Sequence, residues 1–117
     1  MEIGERKYPR YPCKLKVLVV TQGNEKNEMM CLDVSLVGLR LESLERFIVI
    51  EPREEIKVLF PATAESSDFE LKGVIKHYSQ EESGQVVFGV EIIHQNTNSH
   101  NYWQEHMKKL VLTKVKI

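Results

Sequence analysis

Two short runs of this sequence hold the side chains best suited to gripping a small anionic ligand. The first is Arg6-Lys7-Tyr8-Pro9-Arg10, an R-x-x-x-R, and the second is Asp33-Val34-Ser35-Leu36-Val37-Gly38, a D-x-S-x-x-G. An arginine presents a planar fork that matches the O6 and N7 acceptors of guanine. Its flat face stacks on purines and its charge pairs with phosphate. Pro9 argues against a helix here, so Arg6 and Arg10 lie up to about 13 Å apart in an extended arm, closer if it turns. They can then hold two parts of one dinucleotide. Asp33 and Ser35 alternate at the end of a strand and so can point the same way. A carboxylate accepts from guanine N–H groups, and a hydroxyl serves base or phosphate. Gly38 supplies either a positive φ or a close backbone approach.

Alone, each run is weak. An R-x-x-x-R is most simply a solvated basic arm. A D-x-S-x-x-G is most simply a side-chain-stabilised turn with an obligatory glycine. Together, in this order and about twenty residues apart, they occur by chance in roughly one protein per thousand or fewer at average composition. No other constellation competes. His94, His100 and His106 are six residues apart, share no helical face, and read as surface or half-buried residues rather than metal ligands. No nucleophile is paired with a base in any recognisable motif, so the chain reads as a binding protein and not an enzyme, with no cofactor and no metal.

Strands must position these residues. The pattern alternates with period two and is rich in β-branched residues over Cys13 to Thr21, Met29 to Val34, Leu39 to Leu44, Glu55 to Phe60, Phe69 to Tyr78 and Val86 to Ile93. Turn signals fall at Gly23-Asn24 and at Gln80 to Gly84, and a polar loop at Ala62 to Asp68. The period then changes. Trp103, Met107, Leu110 and Val111 are spaced as one face of a helix over about 98–112, with Asn98 or Ser99 as its N-cap. Six short strands and one helix predict an all-β barrel, six-stranded and antiparallel, with a C-terminal α-helix packed on it. Residues 1–12 read as a flexible arm, and residues 13–117 as the barrel with its helix. Folding the first two strands about the turn at Gln22 to Asn27, which holds Gly23, places Cys13 opposite roughly Leu36, several residue pairs from Cys31 and out of disulfide range.

Composition narrows the class. The chain of 117 residues suits one domain, and 28% charged with 42% hydrophobic residues is ordinary for a globular protein. The formal charge of -1 argues against broad binding to a nucleic-acid polymer. The arm and the first strand are locally basic, because Arg6, Lys7, Arg10, Lys14 and Lys16 outweigh Glu2 and Glu5 to give +3. No apolar run is long enough to span a bilayer, and the N-terminus has no secretory pattern, so a cytoplasmic location without membrane insertion is expected. A barrel that binds single-stranded nucleic acid would need aromatic platforms and a basic groove. Apart from Tyr8 and Tyr11, the aromatics read as core residues.

The two motifs, their order and their separation resemble the signature of PilZ domains. Gly73-Val74-Ile75 and Phe88-Gly89-Val90-Glu91-Ile92 resemble the late barrel strands of that family, and the likeness covers residues 5 to 112. The resemblance implies cyclic di-GMP as ligand, held between arm and barrel. Arg6 and Arg10 would then hold guanine and phosphate, and Asp33, Ser35 and Gly38 would form the opposite wall. Lys7 stands where many members have a second arginine. It adds charge to the ligand-binding set but no forked or stacked contact. With no output domain in the chain, such a receptor would signal through a downstream protein partner. The alternative is a PilZ-like structural or adaptor barrel that binds protein without nucleotide.

Overall fold

The computed structural model describes residues 8–44, 53–62, 68–94 and 96–115, with the backbone alone for 111–115. Six strands follow in order: β1 (Tyr11–Val20), β2 (Lys26–Val34), β3 (Gly38–Ser43), β4 (Glu55–Phe60), β5 (Phe69–Gln80) and β6 (Val86–Ile93), then the helix α1 (Thr97–Val115). They close into a barrel in the order β1-β2-β3-β6-β5-β4, every pairing antiparallel, with β1 against β4 completing the circle. This is the predicted fold, and the bounds of β4 and β6 match the sequence reading. Alternation decides the faces. Leu39 and Leu41 of β3 are buried while Arg40 is exposed. Val17, Val19, Cys31, Val58, Ile75 and Val90 meet in the interior, each buried aliphatic side chain contributing about 1.5–3 kcal/mol.

The helix seals the barrel with Trp103, Met107 and Leu110, as its spacing predicts. Its cap is Asn96 rather than Asn98 or Ser99: the Asn96 Oδ1 accepts from the Ser99 N–H at 2.9 Å. His106 also departs from expectation, being only 5% exposed. It stacks on Phe69 with ring centres 4.5 Å apart and meets Phe60 edge-on. One turn before Leu110 it lies on the helix's buried side, and the Phe60 and Phe69 rings wall it in. Burial, with a smaller contribution from Lys109, pushes its pKa down to about 4.

The first hairpin corrects the cysteine reading. Its five-residue turn is centred on Gly23, with Asn24 rather than Gly23 taking the left-handed conformation (φ 66°). A bulge follows between Pro12 and Leu15, where Lys14 has φ 46°. Pro12 therefore opposes Asp33 and Leu15 opposes Cys31, so Cys13 is a neighbour of Cys31. The Cys13 thiol donates to the Cys31 carbonyl at 3.3 Å, and both cysteines are buried thiols. A hydrogen bond with Cys13, reinforced by burial, raises the Cys31 thiol pKa well above its usual value. Tyr78 (54%) and Tyr102 (67%) are exposed rather than in the core.

Candidate functional site

The D-x-S-x-x-G run forms the tight turn that joins β2 to β3. The Ser35 N–H donates to the Gly38 carbonyl at 2.9 Å, closing the turn. The Ser35 hydroxyl accepts from the N–H groups of Val37 (3.2 Å) and Gly38 (3.0 Å) and donates to the Gly38 carbonyl (3.3 Å). One donation and two acceptances fill a hydroxyl's capacity, so the Ser35 Oγ holds its own turn in shape. Gly38 serves by close approach. A β-carbon there would lie 2.9 Å from the Val90 carbonyl oxygen of β6, while the only glycine with positive φ among the described residues is Gly84.

Three other elements hold the turn's outward carbonyls. The Trp103 Nε1–H of α1 donates to Ser35 at 2.9 Å. His94, in the link before the helix, meets the Leu36 carbonyl through Nε2 at 3.1 Å. A carbonyl only accepts, so Nε2 carries the proton. The Ile92 N–H of β6 donates to Val37 at 2.8 Å. Consecutive carbonyls are thus bonded to the helix, the link and a strand, which fixes the turn as a rigid wall.

Asp33 lies on the outer face of the barrel, where Arg40 of β3, its cross-strand partner, reaches it with Nε 3.1 Å from Oδ2. The carboxylate is largely covered, at 14% exposure, while Arg40 stays half exposed. The ion pair fixes the orientation of the carboxylate.

Arg10, Asp33, Ser35 and Gly38 line one cavity of about 290 Å³, together with Tyr8 and with Lys76, His77, Gly89 and Glu91 of β5 and β6. The structure therefore brings four of the six sequence-picked residues together. Arg6 and Lys7 lie outside the described residues. Both carboxylates of the lining already face a cation, Asp33 with Arg40 and Glu91 with Lys76 at 3.5 Å. Arg10 makes no ion pair with any described residue. A second cavity, of about 430 Å³, adjoins through the shared Arg10 and Asp33 and adds Lys14 and Arg40.

Sequence reasoning missed Arg40, Lys76, His77 and Glu91. Arg40 was legible in retrospect, as an outward cation seven residues after Asp33 across a hairpin. Lys76 and His77 come from a strand distant in the chain and carried no signal, and Glu91 stands in a run read only as a late barrel strand. Among the described residues, no group of three or more acidic, histidine or cysteine side chains is placed to hold a metal ion.

Comparison with solved structures finds the same architecture. The chain superposes on the PilZ domain of Escherichia coli YcgR with c-di-GMP (TM-score 0.74, 12% identity, 97% of this chain and 99% of that one). It also superposes on the Bacillus subtilis inhibitor of motility MotI/DgrA (0.72, 16%, 99% and 56%). A third is the K. pneumonia MrkH–c-di-GMP complex (0.73, 11%, 96% and 55%). The chain thus spans about half the length of MotI/DgrA and of MrkH. A search among curated protein sequences finds no match. The sequence profile of the PilZ domain matches residues 5–112. With nearly the whole chain matched, and with its closed barrel, terminal helix and site turn, this protein belongs to the PilZ domain family.

Proposed function

We propose that this chain is a receptor for cyclic di-GMP and not an enzyme. The observation that carries the reading is the meeting, in one cavity, of Arg10 from the arm with Asp33, Ser35 and Gly38 from the β2–β3 turn. Family membership supports it, as do the c-di-GMP complexes among the structural neighbours. In this reading Arg6 and Arg10 hold guanine and phosphate groups, Lys7 adds charge, and Asp33 accepts from a guanine edge. Gly38 lets the ligand and β6 approach the turn closely.

The ligand would act by pinning residues 1–10 onto a barrel that barely changes. An arm with Ile3 and Tyr8 as its apolar anchors offsets little of the ordering cost, about 1–2 kcal/mol per residue for the backbone. Arm, ligand and barrel then form one surface for a downstream protein partner to read. The receptor works in the cytoplasm. It binds the dinucleotide rather than a nucleic-acid polymer, in keeping with its charge of -1. Among the described residues no helix is long and apolar enough to cross a membrane.

Calorimetric titration with cyclic di-GMP, against cyclic di-AMP and GTP, tests the ligand. Saturable binding of cyclic di-GMP alone is expected, and its absence would leave a protein-binding barrel as the reading. Limited trypsin digestion tests the arm, because Arg6, Lys7 and Arg10 are cleavage sites. Saturating ligand should slow cutting there and spare the other loops. Equal rates with and without ligand would refute the pinning step.

A further inference from the structure

Strand β5 carries an irregularity beside the cavity. Ile75 pairs with Val90 and His77 with Gly89, so Lys76 is an extra residue in the ladder. Ile75 is buried in the barrel. In a regular strand, residues two apart share a face, and His77 would point into the core as Ile75 does. The bulge at Lys76 turns it outward instead, the effect by which bulges re-aim side chains beside functional sites. His77 is exposed and lines the same cavity as Arg10 and Asp33.

The imidazole has a defined seat. A β-carbon on Gly89 would lie 2.4 Å from both Cε1 and Nε2 of His77 and 3.1 Å from Cδ2. The ring therefore rests against the bare backbone of β6, and any side chain at 89 displaces it. Cover of a cross-strand glycine by an aromatic ring is a known stabilising contact, and it explains one face of the ring. It does not explain why a bulge brings that ring to the cavity. A rung of directly opposed residues runs Asp33–Arg40–Gly89–His77 across β2, β3, β6 and β5. Its two ends are three strands apart, about 14 Å, which suits a planar purine lying between a carboxylate at one end and a flat ring at the other.

We propose that His77 is a base-contacting residue of this site, the planar wall on which one guanine of the dinucleotide stacks. Histidine is among the side chains that stack on nucleobases. This rests on the reading of the cavity as a cyclic di-GMP site. Gly89 is then a positioning residue, present because only a glycine leaves room for the ring.

The test is calorimetric titration of the full chain with cyclic di-GMP for the unsubstituted protein, His77→Ala, His77→Phe and Gly89→Ala, with thermal melts to confirm folding. Loss of a base–aromatic stack corresponds to roughly a 5- to 100-fold loss of affinity. His77→Ala should show that loss, Gly89→Ala should follow it, and His77→Phe, which keeps the flat ring, should stay within about threefold of the unsubstituted protein. Unchanged affinity in His77→Ala overturns the inference and leaves the receptor reading intact. A phenylalanine variant as weak as the alanine one overturns stacking as the contact. No binding by the unsubstituted protein overturns the receptor reading itself, and the role of His77 with it.

Discussion

Replacing Ser35 by alanine separates a residue that builds the site from one that touches the ligand. Its hydroxyl accepts from the N–H groups of Val37 and Gly38 and donates to the Gly38 carbonyl, and the residue is only 5% exposed. On removal the Gly38 carbonyl keeps the Ser35 N–H as a partner. Val37, at 40% exposure, can turn its N–H to water. The Gly38 N–H is left in a half-buried turn without its acceptor, which costs about 1–2 kcal/mol. For a domain of this length, each kcal/mol moves Tm by roughly 3–6 °C. Ser35→Ala should therefore melt about 3–12 °C below the unsubstituted protein by circular dichroism. Ser99→Ala is the control. Among the described residues its half-buried hydroxyl meets only Asn96, and its loss should stay within about 0.5 kcal/mol. Titrated well below both melting points, Ser35→Ala should bind cyclic di-GMP within about threefold of the unsubstituted protein. An unchanged Tm with a clear loss of affinity would refute this reasoning and make the hydroxyl a direct contact.

Four further outcomes follow from the same geometry. Arg10→Lys should weaken cyclic di-GMP binding nearly as much as Arg10→Ala, by about 1–3 kcal/mol in titration, because lysine keeps the charge but not the fork; unchanged affinity would leave electrostatics alone. Asp33→Ala should weaken binding although it removes a negative charge beside an anionic ligand. It should cost about 1 kcal/mol or less in stability because Arg40 is half exposed, and tighter binding would refute Asp33 as a contact. His106, with its pKa lowered to about 4, binds a proton less readily folded than unfolded. Stability should therefore be full above about pH 6.5 and decline toward pH 4, by at most about 1.4 kcal/mol per pH unit for this group, and His106→Leu should flatten that decline in urea titrations. Alkylation by iodoacetamide at pH 8 should be negligible in the native protein and complete in guanidinium, since both thiols are buried and that of Cys31 is raised well above its usual pKa; rapid native labelling would contradict the bonded arrangement.

Much of the barrel was legible because its signals are local. Glu55–Phe60 and Val86–Ile93 alternate cleanly and end at Pro61 or at a turn, so their bounds could be read directly. The Trp103–Met107–Leu110 spacing identified the helix, and the two motifs pointed to the family. What escaped the sequence depends on counting residues between strands. The first turn spans Thr21 to Glu25 rather than Gln22 to Asn27, which with an extra residue at Lys14 brings Cys13 beside Cys31, and the extra residue at Lys76 turns His77 out to the cavity. No local propensity marks them, because a bulge is settled by which residue of another strand lies opposite.

The same division holds for the site. Its motif residues could be named from their types and spacing, whereas their roles were decided by the fold. Ser35, read as a ligand contact, has its hydroxyl bonded within its own turn. Gly38 is required by the Val90 carbonyl, 52 residues away in the chain, and not by its own φ. Trp103, read as a helix anchor, also holds the Ser35 carbonyl, and His94 holds that of Leu36. Side-chain chemistry is written residue by residue, but a hydrogen bond needs a partner within about 3 Å. Closing the barrel and docking the helix choose that partner, through burial and register contacts that span the whole chain.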